Sequence, residues 1–200
     1  MIKLGITGGS GCGKTTVSDI LRSRGIDVVD CDVLAREVVR AGKPALAEIA
    51  ARFGEAYIRP DGTLDRKKLG GLVFSDPAAL LDLNSITHRY ITAELERHIQ
   101  GYSGNIIGID GAAIIESGTA AACDYVLAVL AEEAVRAARI CARDGLAEEE
   151  ALQRICAQKP DAFYLEHADF VIYNNGDRTV LEREVCAIIG KMVKKFETDF

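Results

Sequence analysis

The stretch Gly8-Gly9-Ser10-Gly11-Cys12-Gly13-Lys14-Thr15 contains every fixed position of a phosphate-binding loop. Residues 4–7 before it form a short apolar run that predicts a buried strand, and Val17, Ile20 and Leu21 after it recur at helical spacing. Glycines in such a strand–loop–helix turn let successive backbone N–H groups point inward, and the helix N-terminus favours anionic phosphates. The stretch therefore predicts a site for a nucleoside triphosphate.

Two side chains of this loop, and one aspartate further along, are predicted to handle charge. The Lys14 ammonium is expected to reach the β- and γ-phosphates, and the Thr15 hydroxyl is expected to hold Mg²⁺. The apolar run 105–110 ends in Asp110, as a Walker-B strand does, and the aspartate of such a strand lies near the metal. Because apolar strands ending in aspartate are common, this second pattern is less specific than the loop.

Composition limits the class of protein. The chain has 200 residues, 48% of them hydrophobic and 27% charged, which is typical of one globular domain with room for a small insertion. Its formal net charge of −6 argues against non-specific binding to nucleic acid or to an anionic membrane. No apolar run reaches the length of a membrane span, and the N-terminus lacks a signal-peptide pattern.

Six scattered cysteines include no Cys-x-x-Cys pair, which favours reduced thiols in the cytoplasm over a metal site or a disulfide framework. Cys12 differs from the others because it lies beside Lys14 at the predicted start of a helix. A thiol in that position can have a lowered pKa. Because the motif leaves position 12 free, the favoured interpretation gives Cys12 no chemical role, and oxidative inactivation there is a hypothesis.

A second strand is predicted at residues 26–30, which completes a β–α–β unit and implies a parallel sheet flanked by helices. The run Asp30-Cys31-Asp32 follows at the carboxyl end of that strand, where open α/β sheets place their ligands. Asp32 has two compatible interpretations. It can serve as the N-cap of a helix over 33–40, as a carboxylate that faces the phosphates, or as both.

Two helical segments interrupt the predicted core, which comprises residues 1–32, 101–135 and 161–200. The first, at about 33–100, carries a long helix over 78–99 and is a natural place to bind a second substrate. His88 and Arg89 stand out in this segment as charged or titratable groups. The alternative to a role at the site is that they lie on a solvated helix face. The second, at about 136–160, is a helical hairpin in which Arg139 and Arg143 are four residues apart and share a face. We expect this hairpin to be a lid that closes arginines over the triphosphate; the alternative is a surface helix pair with salt bridges.

These features favour a small-molecule kinase over a nucleotide-driven switch or ATPase module. Phosphoryl transfer needs neutralised phosphate charge and an oriented nucleophile. The phosphate charge would be neutralised by Lys14, Mg²⁺ and the lid arginines. The nucleophile would be oriented by Asp32, acting as general base. A GTPase is a poor match, because the residues after Asp110 are not Asp-x-x-Gly and no Asn-Lys-x-Asp occurs.

The chain resembles the dephospho-CoA kinase family in a set of motifs that occur in family order over nearly its whole length. They are Gly5-Ile6-Thr7-Gly8-Gly9-Ser10-Gly11-Cys12-Gly13-Lys14-Thr15-Thr16, Asp30-Cys31-Asp32 with Ala35-Arg36, Arg143-Asp144-Gly145-Leu146, and Ala168-Asp169-Phe170-Val171-Ile172-Tyr173-Asn174-Asn175-Gly176. The resemblance implies transfer of the ATP γ-phosphate to the ribose 3′-hydroxyl of dephospho-CoA, a P-loop fold, and a helical CoA-binding region at about 33–100.

The resemblance also implies roles for particular residues. By matching position, Asp32 is the base and Arg143 is a lid contact to ATP. The implied ATP loop comprises Gly11, Cys12, Gly13, Lys14, Thr15 and Thr16. Two segments depart from the family's usual pattern: Ala112-Ala113-Ile114-Ile115-Glu116 stands where Pro-Leu-Leu-Phe-Glu is usual, and His88-Arg89 stands where His-Pro is usual. The first departure keeps Glu116 but lacks a rigid proline.

Overall fold

A parallel sheet of five strands, formed within residues 1–30 and 102–198, is present in a computed structural model that describes residues 1–198. The strand order is β2-β3-β1-β4-β5, so β1 lies in the middle and the chain crosses over between neighbours. The strands are β1 Ile2–Thr7, β2 Asp27–Asp30, β3 Ile106–Asp110, β4 Tyr125–Leu130 and β5 Phe170–Tyr173. The predicted α/β class with a parallel sheet is confirmed.

Helices cover both faces of the sheet, and alternate strand residues point to these opposite faces. On one face, Leu127 of β4 packs with residues of α1 (Lys14–Ser23) and α9 (Arg178–Thr198). On the other face, Ala128 and Leu130 pack against Tyr164 of α8 (Asp161–His167). Burial on both faces explains why every residue of β4 is buried.

A helical hairpin connects β4 to α8. Its arms are α6 (Glu133–Asp144) and α7 (Glu148–Cys156). Gly145 ends α6 in a left-handed conformation with φ of 69°, which allows the chain to reverse. The arms bury Ala137, Ile140, Ala151 and Ile155 against each other. The hairpin is therefore observed where the sequence predicts it, whereas α8, a short helix after Pro160, was not predicted.

The chain divides into two compact units, of which the first contains residues 1–30 and 102–198 and the second residues 31–101. The second unit is helical, with α2 Cys31–Glu37, α3 Pro44–Phe53, α4 Arg66–Ser75 and α5 Pro77–Gly101. It has its own apolar core, which includes Ile49 and Leu69. The last two residues of the predicted 161–200 segment lie outside the described residues.

Two aspartates of the second unit lie at or near the start of a helix. The Asp65 side chain caps α4 by accepting a hydrogen bond from the Lys68 N–H at 3.0 Å. The prediction that Asp32 caps α2 is wrong, because the helix begins at Cys31 and Asp32 is its second residue. A carboxylate in the first turn is stabilised by the helix dipole even when it is not the cap.

Among residues 1–198, no helix combines the length and apolar character that a membrane crossing requires.

Candidate active site

The loop after β1 turns directly into α1, and the turn depends on glycine. Gly13 precedes the first helical residue in a left-handed conformation, with φ of 94° and ψ of 29°. A Cβ atom at this position would collide with the side-chain amide of Asn174, which follows β5. The requirement for glycine at position 13 is therefore both conformational and steric.

Lys14 supplies a cation at this loop. Its Nζ donates a hydrogen bond to the Gly8 carbonyl oxygen at 2.7 Å and lies 3.5 Å from the Gly9 carbonyl oxygen. The side chain thus folds back along the loop that it belongs to. Thr15, the next residue of α1, is exposed, and Thr16 is half-buried. The ammonium group and the first amides of α1 lie together in the same turn, an arrangement that suits an anion.

Arg139 of the hairpin lies against the same loop. Its Nη1 donates to the Gly11 carbonyl oxygen at 3.2 Å and is 3.5 Å from the Cys12 carbonyl oxygen, while its Nη2 lies 3.4 Å from Asn174 Oδ1. The buried Asn174 donates in turn from Nδ2 to the Cys12 carbonyl oxygen at 2.8 Å. The structure therefore places one of the two predicted lid arginines in contact with the loop backbone.

Arg143 lies further out and is bound to its neighbour in sequence. Its Nε and Nη2 each donate to an oxygen of the Asp144 carboxylate at 2.8 Å, and its Nη2 lies 3.5 Å from Ser10 Oγ. Arg154 of α7 donates to the same carboxylate at 2.6 Å. The hydrogen bond between Arg143 and Asp144 raises the pKa of Arg143 and lowers the pKa of Asp144. A nucleotide contact by Arg143 remains a prediction.

Sequence reasoning missed two residues that touch the loop. Arg136, with 6% of its surface exposed, donates from Nε to the Ser10 carbonyl oxygen at 3.0 Å. Gln158, which follows α7, accepts from the Ser10 N–H at 2.8 Å. Arg136 precedes Arg139 by three residues and so lies on the same helix face, a spacing that signals a shared environment. Nothing in the sequence around Gln158 indicates its contact.

Asp110 lies near α1, as the Walker-B interpretation requires. It ends β3, is only 8% exposed, and accepts a hydrogen bond from Ser18 Oγ at 2.7 Å. Ser18 lies one turn after Thr15 on α1. Hydroxyl and carboxylate oxygens are ligands that suit Mg²⁺. Within residues 1–198 no group of three or more acidic, histidine or cysteine side chains is arranged to hold a metal.

The suggested lowering of the Cys12 pKa is wrong. Cys12 is fully buried, with 0% of its surface exposed, and it packs in the same core as Val17 and Ile20. Burial raises the pKa of the thiol, and this effect exceeds the opposing effect of the Arg136 and Lys14 charges. A buried, protonated thiol is a poor target for oxidants, so the structure does not favour redox control at this position.

The remaining candidates lie in separate parts of the chain. Asp32 has an exposed side chain in the second unit, and Arg89 forms an exposed ion pair with Glu48 there. In the first unit, the 112–116 segment buries Ile114 beneath Gly5 and lines a cavity of about 490 Å³ together with Tyr164. The base role of Asp32 remains a prediction.

Comparison with known proteins gives consistent matches over nearly the whole chain. A family model described as dephospho-CoA kinase matches residues 2–179. A dephospho-CoA kinase of Corynebacterium glutamicum is 36% identical over 198 residues, which cover 98% of this chain and 99% of that protein.

Two solved structures have a fold similar to that of this chain. A crystal structure of a Thermus thermophilus protein has a TM-score of 0.83 at 33% identity and covers 95% of this chain and 97% of its own. The structure of a dephospho-CoA kinase from Campylobacter jejuni has a TM-score of 0.67 at 25% identity, with 96% and 98% covered.

Proposed function

Because the chain belongs to the dephospho-CoA kinase family and is therefore a kinase, we propose that it transfers the γ-phosphate of ATP to the ribose 3′-hydroxyl of dephospho-CoA. The products are coenzyme A and ADP. The observation that carries the proposal is the loop at Gly8–Thr15, with the Lys14 ammonium on its carbonyls and Arg139 against its other end.

The donor half of the reaction rests on charge. Negative charge is spread over the equatorial oxygens of the transferred phosphoryl group in the transition state, and fixed cations and amides stabilise that charge without reorganising. Lys14 and the amides of Gly11 to Thr16 are assigned to the phosphates. Arg139 is held by the Gly11 carbonyl and by Asn174, so its guanidinium is fixed beside the loop.

Mg²⁺ belongs to the same proposal. The Thr15 hydroxyl would hold the ion, with Asp110 near it, and the ion would neutralise phosphate charge when bound. The exposed Thr15 and the nearby Asp110, which Ser18 orients, are oxygen donors of the kind that this hard cation prefers. A metal shared with phosphates does not require a complete set of protein ligands.

The acceptor half assigns Asp32 as the general base and the second unit, residues 31–101, as the region that binds the CoA moiety. Support for Asp32 comes from its place in the chain: it follows β2 by two residues, and β2 ends at the edge of the sheet where β3 ends in Asp110. A cytoplasmic location is part of the proposal and is supported by the scattered placement of the six cysteines in the sequence, which is not that of a disulfide framework.

One assay tests the assignment of the acceptor. Purified protein is incubated with ATP and Mg²⁺ and with dephospho-CoA, adenosine, other nucleosides that carry a 3′-hydroxyl, or water alone as acceptor. We expect ADP to form at an appreciable rate only with dephospho-CoA, and the product to carry the new phosphate on the 3′-oxygen. ATP consumption that is equally fast without any alcohol would contradict the proposal and indicate an ATPase module.

Replacing Arg143 with alanine is expected to raise the KM for ATP about tenfold, the effect of losing one charge-assisted hydrogen bond at a partly solvated site. The measurement is steady-state kinetics at saturating dephospho-CoA. Arg183→Ala, which removes an exposed arginine from α9, is the matched control. If KM and kcat are both unchanged in Arg143→Ala, Arg143 is a surface residue whose partner is Asp144 alone.

A further inference from the structure

Both backbone polar groups of Ser10 are bound by side chains from the base of the hairpin. The Ser10 carbonyl oxygen accepts from Arg136 Nε at 3.0 Å, and the Ser10 N–H donates to Gln158 Oε1 at 2.8 Å. Arg136 Nη2 also donates to Gln158 Oε1, at 2.8 Å. The three residues thus form a closed ring of hydrogen bonds, which we call the Ser10 clasp.

Arg136 is the buried member of the clasp, and Ser10 and Gln158 are half-buried. Arg136 is 6% exposed, and the acidic group near it, Asp161, lies 3.8 Å from Nη1 and is itself 47% exposed. A buried guanidinium must find acceptors, because the cost of leaving its donors unsatisfied exceeds the gain from an ordinary hydrogen bond. Loss of Gln158 would remove the acceptor of both Arg136 Nη2 and the Ser10 N–H at once.

The clasp lies directly against the phosphate-binding loop. A Cβ atom at Gly9 would collide with Arg136 Nη2 and come within 2.9 Å of Gln158 Oε1, so a side chain at position 9 and the clasp exclude each other. Arg136 belongs to the first turns of α6, and Gln158 lies between α7 and α8. The clasp therefore ties both arms of the hairpin, at their base, to the middle of the loop.

We propose that Arg136 and Gln158 are positioning residues that hold Ser10, and through it the loop at Gly8–Thr15, in the form that receives the triphosphate. The inference deepens the proposed function and rests on its donor half. Arg143, at the exposed end of the hairpin, is paired with Asp144, whereas Arg136 is buried and donates to the loop backbone. The loop is thereby preorganised, and binding does not have to supply the cost of ordering it.

Two cysteines allow the loop to be distinguished from the fold as a whole. Cys12 lies within the loop and is completely buried, so its rate of alkylation reports how often the loop opens. Cys123 is half-buried beside Gly5, two residues before β4, and burial raises the pKa of its thiol to about 11. Alkylation of Cys123 reports general loosening of the same unit.

The experiment uses Gln158→Leu, Gln158→Glu, Arg136→Met and the control Arg183→Met. Alkylation of Cys12 and Cys123 by iodoacetamide is followed by peptide mass spectrometry in the absence of nucleotide. The dissociation constant of an ATP analogue with a β,γ-imido bridge is measured by calorimetry without acceptor, and melting temperatures are recorded for every variant.

We expect Gln158→Leu and Arg136→Met to weaken binding of the analogue about 10- to 100-fold, the range for losing hydrogen bonds to a charged group. Cys12 should be alkylated at least about tenfold faster in both, with Cys123 unchanged, as a local opening exposes only its own segment. Gln158→Glu should restore the protection of Cys12, because its carboxylate oxygen can accept the same two hydrogen bonds. Arg183→Met should match the wild type.

Two results would overturn the inference: equal acceleration of Cys12 and Cys123, which would mean that the clasp only stabilises the fold, or unchanged Cys12 labelling and analogue affinity. A protein that binds the analogue in a clasp-dependent manner but does not phosphorylate dephospho-CoA would retain the clasp and refute the proposed acceptor. The two proposals therefore fail separately.

Discussion

Lys14→Ala is expected to reduce the rate of phosphoryl transfer to dephospho-CoA below detection, a fall of at least about 10³-fold, as expected when a preorganised charge donor is removed. The Lys14 ammonium donates to the Gly8 carbonyl oxygen at 2.7 Å, so it is held at the loop. Alanine leaves no cation at that point. The rate is measured as ADP release with saturating ATP, Mg²⁺ and dephospho-CoA.

The control for this variant is Lys191→Ala, which removes an exposed lysine from α9 and should leave kcat within a factor of two, about the size of an ordinary surface effect. The melting temperature separates lost catalysis from lost fold. Because the carbonyl oxygens that Lys14 contacts can bind water instead, the variant should remain folded. A wild-type kcat in a folded Lys14→Ala protein would refute the donor site.

Asp32→Asn is expected to lower kcat by about 10²- to 10⁴-fold, the usual contribution of a general base, while the KM for ATP changes little. The amide keeps the size and most of the hydrogen-bonding geometry of the carboxylate, but it cannot take the proton of the ribose hydroxyl. The exposed side chain in the first turn of α2 makes the change well tolerated by the fold. Single-turnover measurements of the phosphorylated product separate the chemical step from product release.

Asp82→Asn makes the same chemical change on α5, where the carboxylate is paired with Arg52, and serves as the reference. A small loss of stability with normal turnover is expected there, because exposed ion pairs contribute little. If Asp32→Asn retains full turnover, the contribution of Asp32 is limited to the helix dipole of α2, and the base must be sought elsewhere.

Much of the fold followed from local patterns. Apolar runs at residues 4–7, 26–30 and 105–110 located β1, β2 and β3, and these strands agree with the runs to within two residues at their ends. The break at Gly145 located the hairpin, since a left-handed residue is needed there. Helix α8 was missed because a helix of seven residues shows too little periodicity to be distinguished from a loop.

The candidate site could likewise be predicted only in part from local patterns in the sequence. Sequence alone predicted the loop and proposed Lys14, Thr15 and Asp110 as site residues, because these residues are adjacent to the strands and helix that position them. The pKa of Cys12 could not be predicted in that way. It depends on how deeply the thiol is buried, and burial is decided by distant segments.

Only the tertiary structure decided which side chains hold the loop. Arg136, Gln158 and Asn174 lie more than a hundred residues from the loop in sequence, yet all three donate to or accept from its backbone. The reason is physical: a buried backbone N–H or carbonyl must be paired, but any donor or acceptor that packing brings near can pair it. The chain therefore encodes locally that a phosphate-binding loop exists, whereas the packing of β5 and the hairpin against it determines what keeps that loop in shape.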